Sequence, residues 1–385
     1  MNVLLVSQAK YGVKSVISNI VPHFSQRNDV ECSYLTLPIH DAPEGCERIS
    51  LLNKTLVKNL EGRHLPYLGY AVFGFWQRAY RYLAKYGDAY DVIWLHNPRL
   101  LPLVPHQFTD RYLVTYHNHL FATKAQHHDI PASLYYHVFG IIERRGIEAI
   151  SNARFTVVHE RLMDELVNVG VFPQSAVHVG NGVDIEKFHP TVSGNTARDA
   201  FDLPDGKLFL SLGSLTEQKR PLALLKVFAS LAEEANEECI ALVVAGDGPL
   251  QDKAEAFVRQ RGLDNVRFLG FIDEQLKPSL YAAADCFLLA SQYDPGGPLT
   301  LYEAAASGLP CITSDIPNFE WVEQNGCGIT VDFDTPSRAA DRIRSFLLTM
   351  DDSPASRARQ YAENNLGWQD RANEYFTELQ KISEQ

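Results

Sequence analysis

Two features of the second half of the chain are suited to binding phosphate groups. Lys219 follows a predicted strand and a short loop, where its ammonium group could neutralise a diphosphate. The segment PGGPLT (residues 295–300) leads into a predicted helix that begins near Leu299, and its glycines expose backbone N–H groups at the positive end of that helix. Most lysines are surface residues, and Lys219 taken alone would be assigned to that class. The chemistry that both features favour is the stabilisation of a departing diphosphate.

Other side chains could take part in ligand binding or proton transfer. His117 directly follows the predicted strand RYLVTY. Ligands of parallel sheets bind at the carboxyl ends of strands, so we favour a site role for it over the structural role that a lone histidine usually has. Glu303 falls early in the helix after PGGPLT, where a glutamate can also serve only to stabilise the helix dipole. His119, His127 and His128 lack a carboxylate or cysteine that would complete a convincing set of metal ligands. We therefore expect these histidines to be solvated or to lie on the side of the site that binds the acceptor substrate. We expect no metal and no other cofactor.

The elements that must position these residues are strands and helices in alternation. Short apolar runs such as MNVLLVS, DVIWLHN, KLFLSLGS and CIALVVAGDG are separated by amphipathic stretches. Continuous Val, Ile and Leu runs are typical of strands buried on both faces, and their alternation with helices predicts parallel sheets with right-handed crossovers. Residues 188–206, rich in Pro, Gly, Ser, Thr and Asp, interrupt this rhythm and predict a linker. We therefore expect two doubly wound domains, with the cleft between them as the default binding site.

Length and composition agree with two ordinary globular domains. The 385 residues are 45% hydrophobic and 21% charged, which excludes a disordered, collagen-like or coiled-coil chain. The first residues lack the basic region of a signal peptide, and the longest uncharged stretch is too short for a membrane span. The six cysteines are scattered without a C-x-x-C pair, so we expect them to be reduced and the protein to be cytoplasmic.

Charge is distributed very unevenly along the chain. Residues 1–190 contain 18 Lys or Arg, 17 Asp or Glu and all 13 histidines, while the remainder contains 17 basic and 30 acidic residues. The overall charge of −12 argues against nucleic-acid binding. The near-neutral first half could approach an anionic membrane more easily than the acidic second half.

Six segments of the second half occur in one order and together resemble the retaining glycosyltransferases of family GT4. The resemblance covers nearly all of residues 181–332 and is looser before residue 180. The segments are NGVDIEKFHP, SLGSLTEQKRP, VVAGDGPL, VRFLGFI, LYAAADCFLLASQYDPGGPLTLYEAAASGLPCITSD and NGCGITVD. The resemblance implies an α/β protein of the GT-B fold, with two Rossmann-like doubly wound domains facing a central cleft. It assigns residues 1–190 and a returning C-terminal helix, 366–385, to the acceptor-binding domain and residues 191–365 to the nucleotide-sugar-binding domain.

The resemblance also implies roles for individual residues. Lys219 resembles the diphosphate-binding lysine, Glu303 the residue that holds the ribose hydroxyls, and His117 the histidine near the donor sugar. Asp294 is expected at the sugar hydroxyls, although it lies nine positions before Glu303 where the family has eight, and Ser214 stands where the family usually has arginine. The implied donor-binding set, in which the three residues from Phe271 line the nucleobase pocket, is Gly12, Gly213, Ser214, Phe271, Ile272, Asp273, Gly296, Gly297, Pro298, Leu299 and Thr300.

The activity implied is transfer of a sugar from a UDP- or GDP-sugar to an acceptor hydroxyl with retention of configuration. The acceptor would be a glycan or a lipid-linked molecule of polysaccharide, glycolipid or lipid-linked glycan synthesis. Two alternatives stay open: a catalytically weak nucleotide-sugar-binding subunit, and a sugar-nucleotide epimerase or nicotinamide oxidoreductase. The sequence GDGP after a strand lacks the third glycine of a dinucleotide fingerprint, so we interpret it as a structural turn.

Two further segments carry predictions about surfaces. Residues 51–90 interleave Lys and Arg with aromatic side chains, which fits a membrane-surface segment. A core-packed helix pair with a basic outer face explains the pattern at least as well. Near the C-terminus, Trp368, Ala372, Tyr375, Phe376 and Leu379 form a helical apolar stripe, which we assign to the helix that returns to the first domain.

Overall fold

A computed structural model describes residues 1–8, 12–25, 27, 29–60, 68–121, 123, 130–204, 206–233, 240–294 and 296–384. The chain divides into two compact units, Met1–Asn181 with Trp368–Gln385, and Gly182–Gly367. Each unit is built around one parallel sheet, as the alternation of buried strands and amphipathic helices predicts.

The first unit contains a seven-stranded parallel sheet with the order β3-β2-β1-β4-β5-β6-β7. Its strands are β1 Asn2–Val6, β2 Glu31–Thr36, β3 Cys46–Ser50, β4 Val92–His96, β5 Tyr112–Tyr116, β6 Arg154–Val157 and β7 Ala176–His178. Its helices are α1 Gly12–Ser25, α2 Lys54–Leu60, α3 Gly74–Tyr86, α4 Ile130–Ala149 and α5 Glu160–Asn168, with a π-helical turn at Leu68–Phe73 before α3. Strands β4 and β5 are buried along their whole length, which explains their uninterrupted apolar sequences.

The second unit contains a six-stranded parallel sheet with the order β10-β9-β8-β11-β12-β13. Its strands are β8 Lys207–Leu212, β9 Ile240–Ala245, β10 Val266–Gly270, β11 Cys286–Leu289, β12 Cys311–Ser314 and β13 Gly328–Val331. Its helices are α6 Asn195–Phe201, α7 Pro221–Glu233, α8 Gln251–Arg261, α9 Lys277–Ala282, α10 Leu299–Ala306, α11 Glu320–Gln324, α12 Pro336–Thr349 and α13 Ser353–Asn365. The strand order reverses between β8 and β11, and the loops that follow these two strands are where a doubly wound sheet binds its ligand.

The C-terminal helix α14, Trp368–Ser383, completes the core of the first unit, as predicted. All five residues of its predicted apolar stripe are buried. Tyr375 packs against Trp94 of β4 with 5.0 Å between ring centroids, and Phe376 packs against Phe24 of α1 at 6.0 Å. A contact between Arg154 of β6 and the buried carboxylate of Glu378 adds an ion pair to this packing.

The second unit begins before the predicted linker. Val183 donates its backbone N–H to Leu366 O at 2.6 Å, which ties residue 183 to the end of α13. Residues 188–206 therefore lie inside the second unit, where part of the segment forms α6. The backbone N–H of Ala197 in that helix donates to Ser279 Oγ at 2.9 Å. The polar and small residues of this segment make side-chain and close backbone contacts inside the unit. A linker has the same composition, so composition alone could not distinguish the two.

The prediction that all cysteines are reduced is wrong for one pair. Cys32 in β2 and Cys46 in β3 lie directly opposite each other in the parallel register, with 4.8 Å between their Cα atoms, and form a disulfide. Strand register brings the two residues together, and the sequence pattern did not reveal it. Cys286, Cys311 and Cys327 are buried thiols, and Cys239 lies outside the described residues.

The described part of residues 51–90, which leaves out residues 61–67, agrees with the core-packed alternative at helix α3. Phe75, Trp76 and Tyr80 of α3 are buried in the core of the first unit, while Arg81 and Lys85 of the same helix are exposed. These three aromatic side chains are therefore used for packing, whereas Tyr86 at the end of the same helix is exposed. Among the described residues, no helix combines the length and the apolar character that crossing a membrane requires.

Candidate functional site

The loops after β8 and β11 bring the predicted phosphate lysine and the predicted sugar carboxylate together. Lys219 Nζ contacts the carboxylate of Asp294 and lies 3.4 Å from Ser291 Oγ. Asp294 is buried, and the side-chain amide of Asn318 donates to its backbone oxygen. Both loops lie at the reversal point of strand order, so their meeting follows from the topology of the sheet.

Gly213 and Ser214 lie in the same small pocket as Lys219. The loop after β9 holds them in place: Gly213 N–H donates to Ala245 O at 3.0 Å, and Leu215 N–H donates to Asp247 O at 2.8 Å. A Cβ at Gly246 would lie 2.0 Å from the backbone oxygen of Gly213. This close approach confirms the interpretation of GDGP as a structural turn, since its glycine permits the β9 loop to support the β8 loop.

Helix α10 begins at Leu299, as the segment PGGPLT predicts. Gly297 has a φ of +70°, and a Cβ there would lie 2.1 Å from the Tyr302 hydroxyl, so this position requires glycine. No described side chain caps the first turn of α10. Gly296, Gly297, Pro298, Leu299 and Thr300 thus form the loop and helix start, where the backbone N–H groups of Leu299 and Thr300 lie at the positive end of α10. Pro295 lies outside the described residues.

Glu303 is a buried carboxylate on α10 with two partners on α9. Tyr281 donates its hydroxyl to Glu303 Oε2 at 2.8 Å, and Lys277 Nζ lies 3.4 Å from Oε1. Burial raises the pKa of Glu303, while the positive charge of Lys277 and the Tyr281 hydrogen bond act in the opposite direction. A carboxylate has about four lone-pair sites, so Glu303 keeps acceptor capacity for further hydroxyl groups.

The predicted nucleobase residues follow β10 at the outer edge of the sheet. Phe271 is 73% exposed, Ile272 is buried, and the Asp273 carboxylate accepts a hydrogen bond from Gln275 N–H at 2.9 Å. Ile272 therefore anchors the loop in the core of the second unit while Phe271 offers an aromatic face to solvent.

The first unit places His117 beside a second histidine. His117 follows β5 and is buried, and its Nε2 lies 2.8 Å from Nδ1 of His96, the last residue of β4. Burial lowers the pKa of His117 to about 3, so its ring is neutral at physiological pH. Gly12 is the first residue of α1, and the preceding residues 9–11 lie outside the described residues.

His119 differs from its prediction as a solvated or acceptor-side histidine. Its Nδ1 contacts the carboxylate of Glu165, which also accepts from Leu120 N–H at 2.9 Å, so the residue serves in packing α5. His127 and His128 lie outside the described residues. The described part of the chain contains no group of three or more His, Cys, Asp or Glu residues arranged to hold a metal ion.

Sequence reasoning missed four residues that contact the candidate site residues: His96, Lys277, Tyr281 and Asn318. His96 ends a strand just as His117 follows one, so the same argument from strand ends would have found it. The other three lie in loops and helices whose contacts depend on tertiary packing, and no local pattern identifies them.

The second unit is a doubly wound α/β unit that carries a lysine and a buried carboxylate at the reversal point of its strand order, the place where such sheets bind their ligands. Two such parallel-sheet units and a returning C-terminal helix constitute the GT-B fold. Residues 195–365 match the family profile described as Glycosyl transferases group 1, which confirms the resemblance predicted from the sequence.

Comparison with individual proteins agrees with this assignment. The chain is 31% identical over 206 residues to spore coat protein SA of Bacillus subtilis, which covers 50% of this chain and 55% of that protein. The chain thus spans about half the length of this curated relative. A glycosyltransferase from Rickettsia africae has the same fold, with a TM-score of 0.73, 15% identity and coverage of 99% and 98% of the two chains. The Anabaena protein HepE, solved in complex with UDP and glucose, gives a TM-score of 0.69 at 16% identity, covering 99% and 100%.

Proposed function

We propose that this protein is a retaining glycosyltransferase that moves a sugar from a nucleoside-diphosphate sugar to an acceptor hydroxyl. The observation that carries the proposal is the meeting of Lys219 and Asp294 beside the pocket of Gly213 and Ser214. A cation next to backbone N–H groups suits a diphosphate, and a carboxylate next to that cation suits the hydroxyls of the attached sugar. UDP is the favoured nucleotide, since a solved protein of the same fold holds UDP and glucose.

In the proposed reaction the bond between the anomeric carbon and the phosphate oxygen of the donor breaks. The acceptor oxygen bonds to the anomeric carbon on the same face, and the acceptor proton passes to an oxygen of the leaving diphosphate. Lys219 and the N–H groups at the start of α10 stabilise the negative charge of that diphosphate. Because these groups supply the positive charge, the proposal requires no metal ion or other cofactor.

The Lys219–Asp294 ion pair joins the proposed phosphate and sugar ligands of the site. Each charge neutralises the other in a largely buried setting. When a diphosphate binds, Lys219 is shared with the phosphate oxygens, and Asp294 can then accept hydrogen bonds from the sugar. Ser214, in the position that is usually arginine, lines the same pocket.

A thermal-shift screen tests the donor class directly. UDP and UDP-sugars at 100 times their dissociation constant are expected to raise the melting temperature by about 5 °C, since ligand binding stabilises by mass action. GDP and its sugars form the second series, and UMP, which lacks the second phosphate, is the matched control. Transfer to glycan and lipid-linked acceptors is then measured with and without EDTA, and activity is expected to persist in EDTA.

The outcomes of this screen separate the alternatives. Nucleotide-sugar binding without hydrolysis or transfer across the acceptors would favour the catalytically weak binding subunit. No shift with any UDP- or GDP-sugar, combined with a shift on adding NAD, would overturn the proposal in favour of an oxidoreductase or epimerase.

A peripheral contact with an anionic membrane is a separate part of the proposal and fits a lipid-linked acceptor. Leu134, Val138 and Ile141 are exposed large apolar residues along one face of α4, and Arg144 and Arg145 follow on the same helix. An apolar face flanked by cations fits the boundary between headgroups and acyl chains. This face differs from the segment 51–90 that the sequence suggested.

Vesicle co-sedimentation of the full chain tests this contact. We expect binding to phosphatidylglycerol vesicles that exceeds binding to phosphatidylcholine vesicles, because the basic residues attract anionic lipid. Replacing Leu134, Val138 and Ile141 by serine is expected to weaken binding roughly tenfold or more. Leu348→Ser is the matched control, since Leu348 is an exposed leucine of the second unit. Equal binding by the triple variant and the wild type would contradict this location.

A further inference from the structure

The pair His96–His117 has a geometry that restricts where each ring carries its proton. The two rings are nearly parallel, with 14° between their planes and 5.1 Å between their centroids. His96 Nδ1 lies 2.8 Å from His117 Nε2, so one of these atoms donates a hydrogen bond to the other. His96 is 1% exposed and His117 is 8% exposed, which keeps water from competing for this bond.

Both rings are neutral at physiological pH. Burial lowers the pKa of His117 to about 3, and burial together with the neighbouring His117 lowers the pKa of His96 well below its usual value. A neutral imidazole carries one N–H and one lone pair, so only two arrangements of the pair are possible. Either His96 Nδ1–H donates to His117 Nε2, or His117 Nε2–H donates to His96 Nδ1.

The far nitrogen of His96 decides between the two arrangements. His96 Nε2 is buried and has no hydrogen-bond partner among the described residues. In the second arrangement His96 would carry its only proton on this atom, and a buried N–H would be left without an acceptor. Orphaned buried N–H groups are rarer in proteins than under-satisfied acceptors, because an unmade donor loses its full desolvation penalty. The first arrangement leaves only a lone pair there and is preferred.

We infer that His96 is a positioning residue that fixes His117 as its Nδ1–H tautomer, so that His117 presents a hydrogen-bond donor to a substrate oxygen. The substrate group is a hydroxyl oxygen of a sugar, and this identification rests on the proposed glycosyl transfer. With its Nε2 lone pair occupied by His96, His117 has no free lone pair with which to act as a general base. Among the described residues His117 Nδ1 has no hydrogen-bond partner, so its N–H is available to the substrate.

The backbone of both strand ends holds this arrangement in place. Asn97, directly after His96, has a left-handed φ of +44°, and its side-chain oxygen accepts the backbone N–H of His117 at 2.9 Å. The His96 ring also packs on Trp94, with 4.6 Å between centroids. These contacts hold the two rings in the geometry in which Nδ1 of His96 meets Nε2 of His117.

Nuclear magnetic resonance of histidine labelled with ¹⁵N tests the tautomer without any assay of transfer. The signals of His117 are identified by their loss in His117→Gln. In the wild type we expect a protonated, pyrrole-like Nδ1 and an unprotonated, pyridine-like Nε2 for His117. The opposite assignment in the wild type would overturn the inference, and this arm requires no variant of His96.

Two substitutions of His96 add a test of positioning. Leucine can neither donate nor accept a hydrogen bond, so His96→Leu is expected to release the His117 proton from Nδ1 and to give a substantial population of the Nε2–H tautomer. Asparagine can still donate, so His96→Asn is expected to keep the Nδ1–H tautomer. An unchanged His117 tautomer in a folded His96→Leu protein would contradict the inference.

Kinetics connects the tautomer to the reaction. His96→Leu is expected to lower kcat for transfer about tenfold, the usual effect of one lost hydrogen bond, with His96→Asn restoring most of it. UDP affinity, measured by calorimetry, is expected to stay unchanged in both variants because their substitutions lie in the first unit. If the wild type does not bind UDP, the proposed function is wrong. If the tautomer of His117 shifts in a variant without any change in kcat, only the positioning role of His96 is wrong.

Discussion

Replacing Lys219 by methionine is expected to lower kcat/KM for transfer from a UDP-sugar by about 10²- to 10³-fold. Lys219 is the only cation among the described residues that line the pocket of Gly213 and Ser214, and residues 191–385 contain 30 acidic and 17 basic residues. Preorganised charge of this kind acts on the developing negative charge of the diphosphate, and its removal typically has this magnitude. Steady-state kinetics with a radiolabelled UDP-sugar measures the change.

Two variants separate lost charge from lost structure. Lys219→Met alone leaves the buried Asp294 carboxylate without its partner, which can itself destabilise the fold. The double variant Lys219→Met with Asp294→Asn removes both charges and is expected to recover stability while transfer stays low. Lys226→Met is the matched control, because Lys226 is an exposed lysine on helix α7 just beyond the site. Full turnover by the double variant would show that the phosphate site has been misassigned.

Glu303→Gln is expected to weaken UDP binding by about 10- to 100-fold. Hydrogen bonds to a charged acceptor contribute about 1.5–3 kcal/mol, and each 1.4 kcal/mol corresponds to a tenfold change in affinity. Glutamine can still accept the Tyr281 hydroxyl on its single oxygen, so it has little capacity left for two ribose hydroxyls. Isothermal calorimetry with UDP, and with UMP as a ribose-bearing comparison, gives the affinities.

Glu274→Gln is the control for this substitution. Glu274 contacts the same Lys277 ammonium at 2.7 Å but is an exposed residue, so the variant removes one carboxylate from Lys277 without touching α10. UDP affinity is expected to change less than threefold. If Glu303→Gln bound UDP as tightly as the wild type, Glu303 would be a structural partner of Tyr281 and Lys277 instead of a ribose ligand.

The sequence predicted most of the architecture because the fold repeats one local rule. Each buried strand is a short apolar run and each crossover helix is amphipathic. Both patterns can be recognised in a single sequence. Lys219 and Asp294 could be placed at one site because each follows a strand, and parallel strands end at the same edge of the sheet. Helix α10 could be placed to the residue because glycines and prolines mark its beginning.

Predictions failed where pairing depends on register or on packing between distant segments. The Cys32–Cys46 disulfide joins residues that only the alignment of β2 with β3 brings together. The aromatic residues of α3 could face a membrane or a core equally well until the strands beneath that helix were known. Tyr281 and Lys277 contact Glu303 because α9 packs against α10. The sequences of these two helices do not show that they pack together.

The returning helix α14 has a consequence for the order in which the chain acquires its structure during synthesis. Domains usually fold in sequence from the N-terminus as the ribosome releases them, at about 5–20 residues per second. Here Tyr375 and Leu379, at the end of the chain, fill the core of the unit that begins with Met1. The second unit is continuous in sequence from Gly182 to Gly367, so all of its residues are made before α14. The unit that is translated earlier is therefore completed later. Its sheet lacks a packing helix until some 200 further residues have been synthesised.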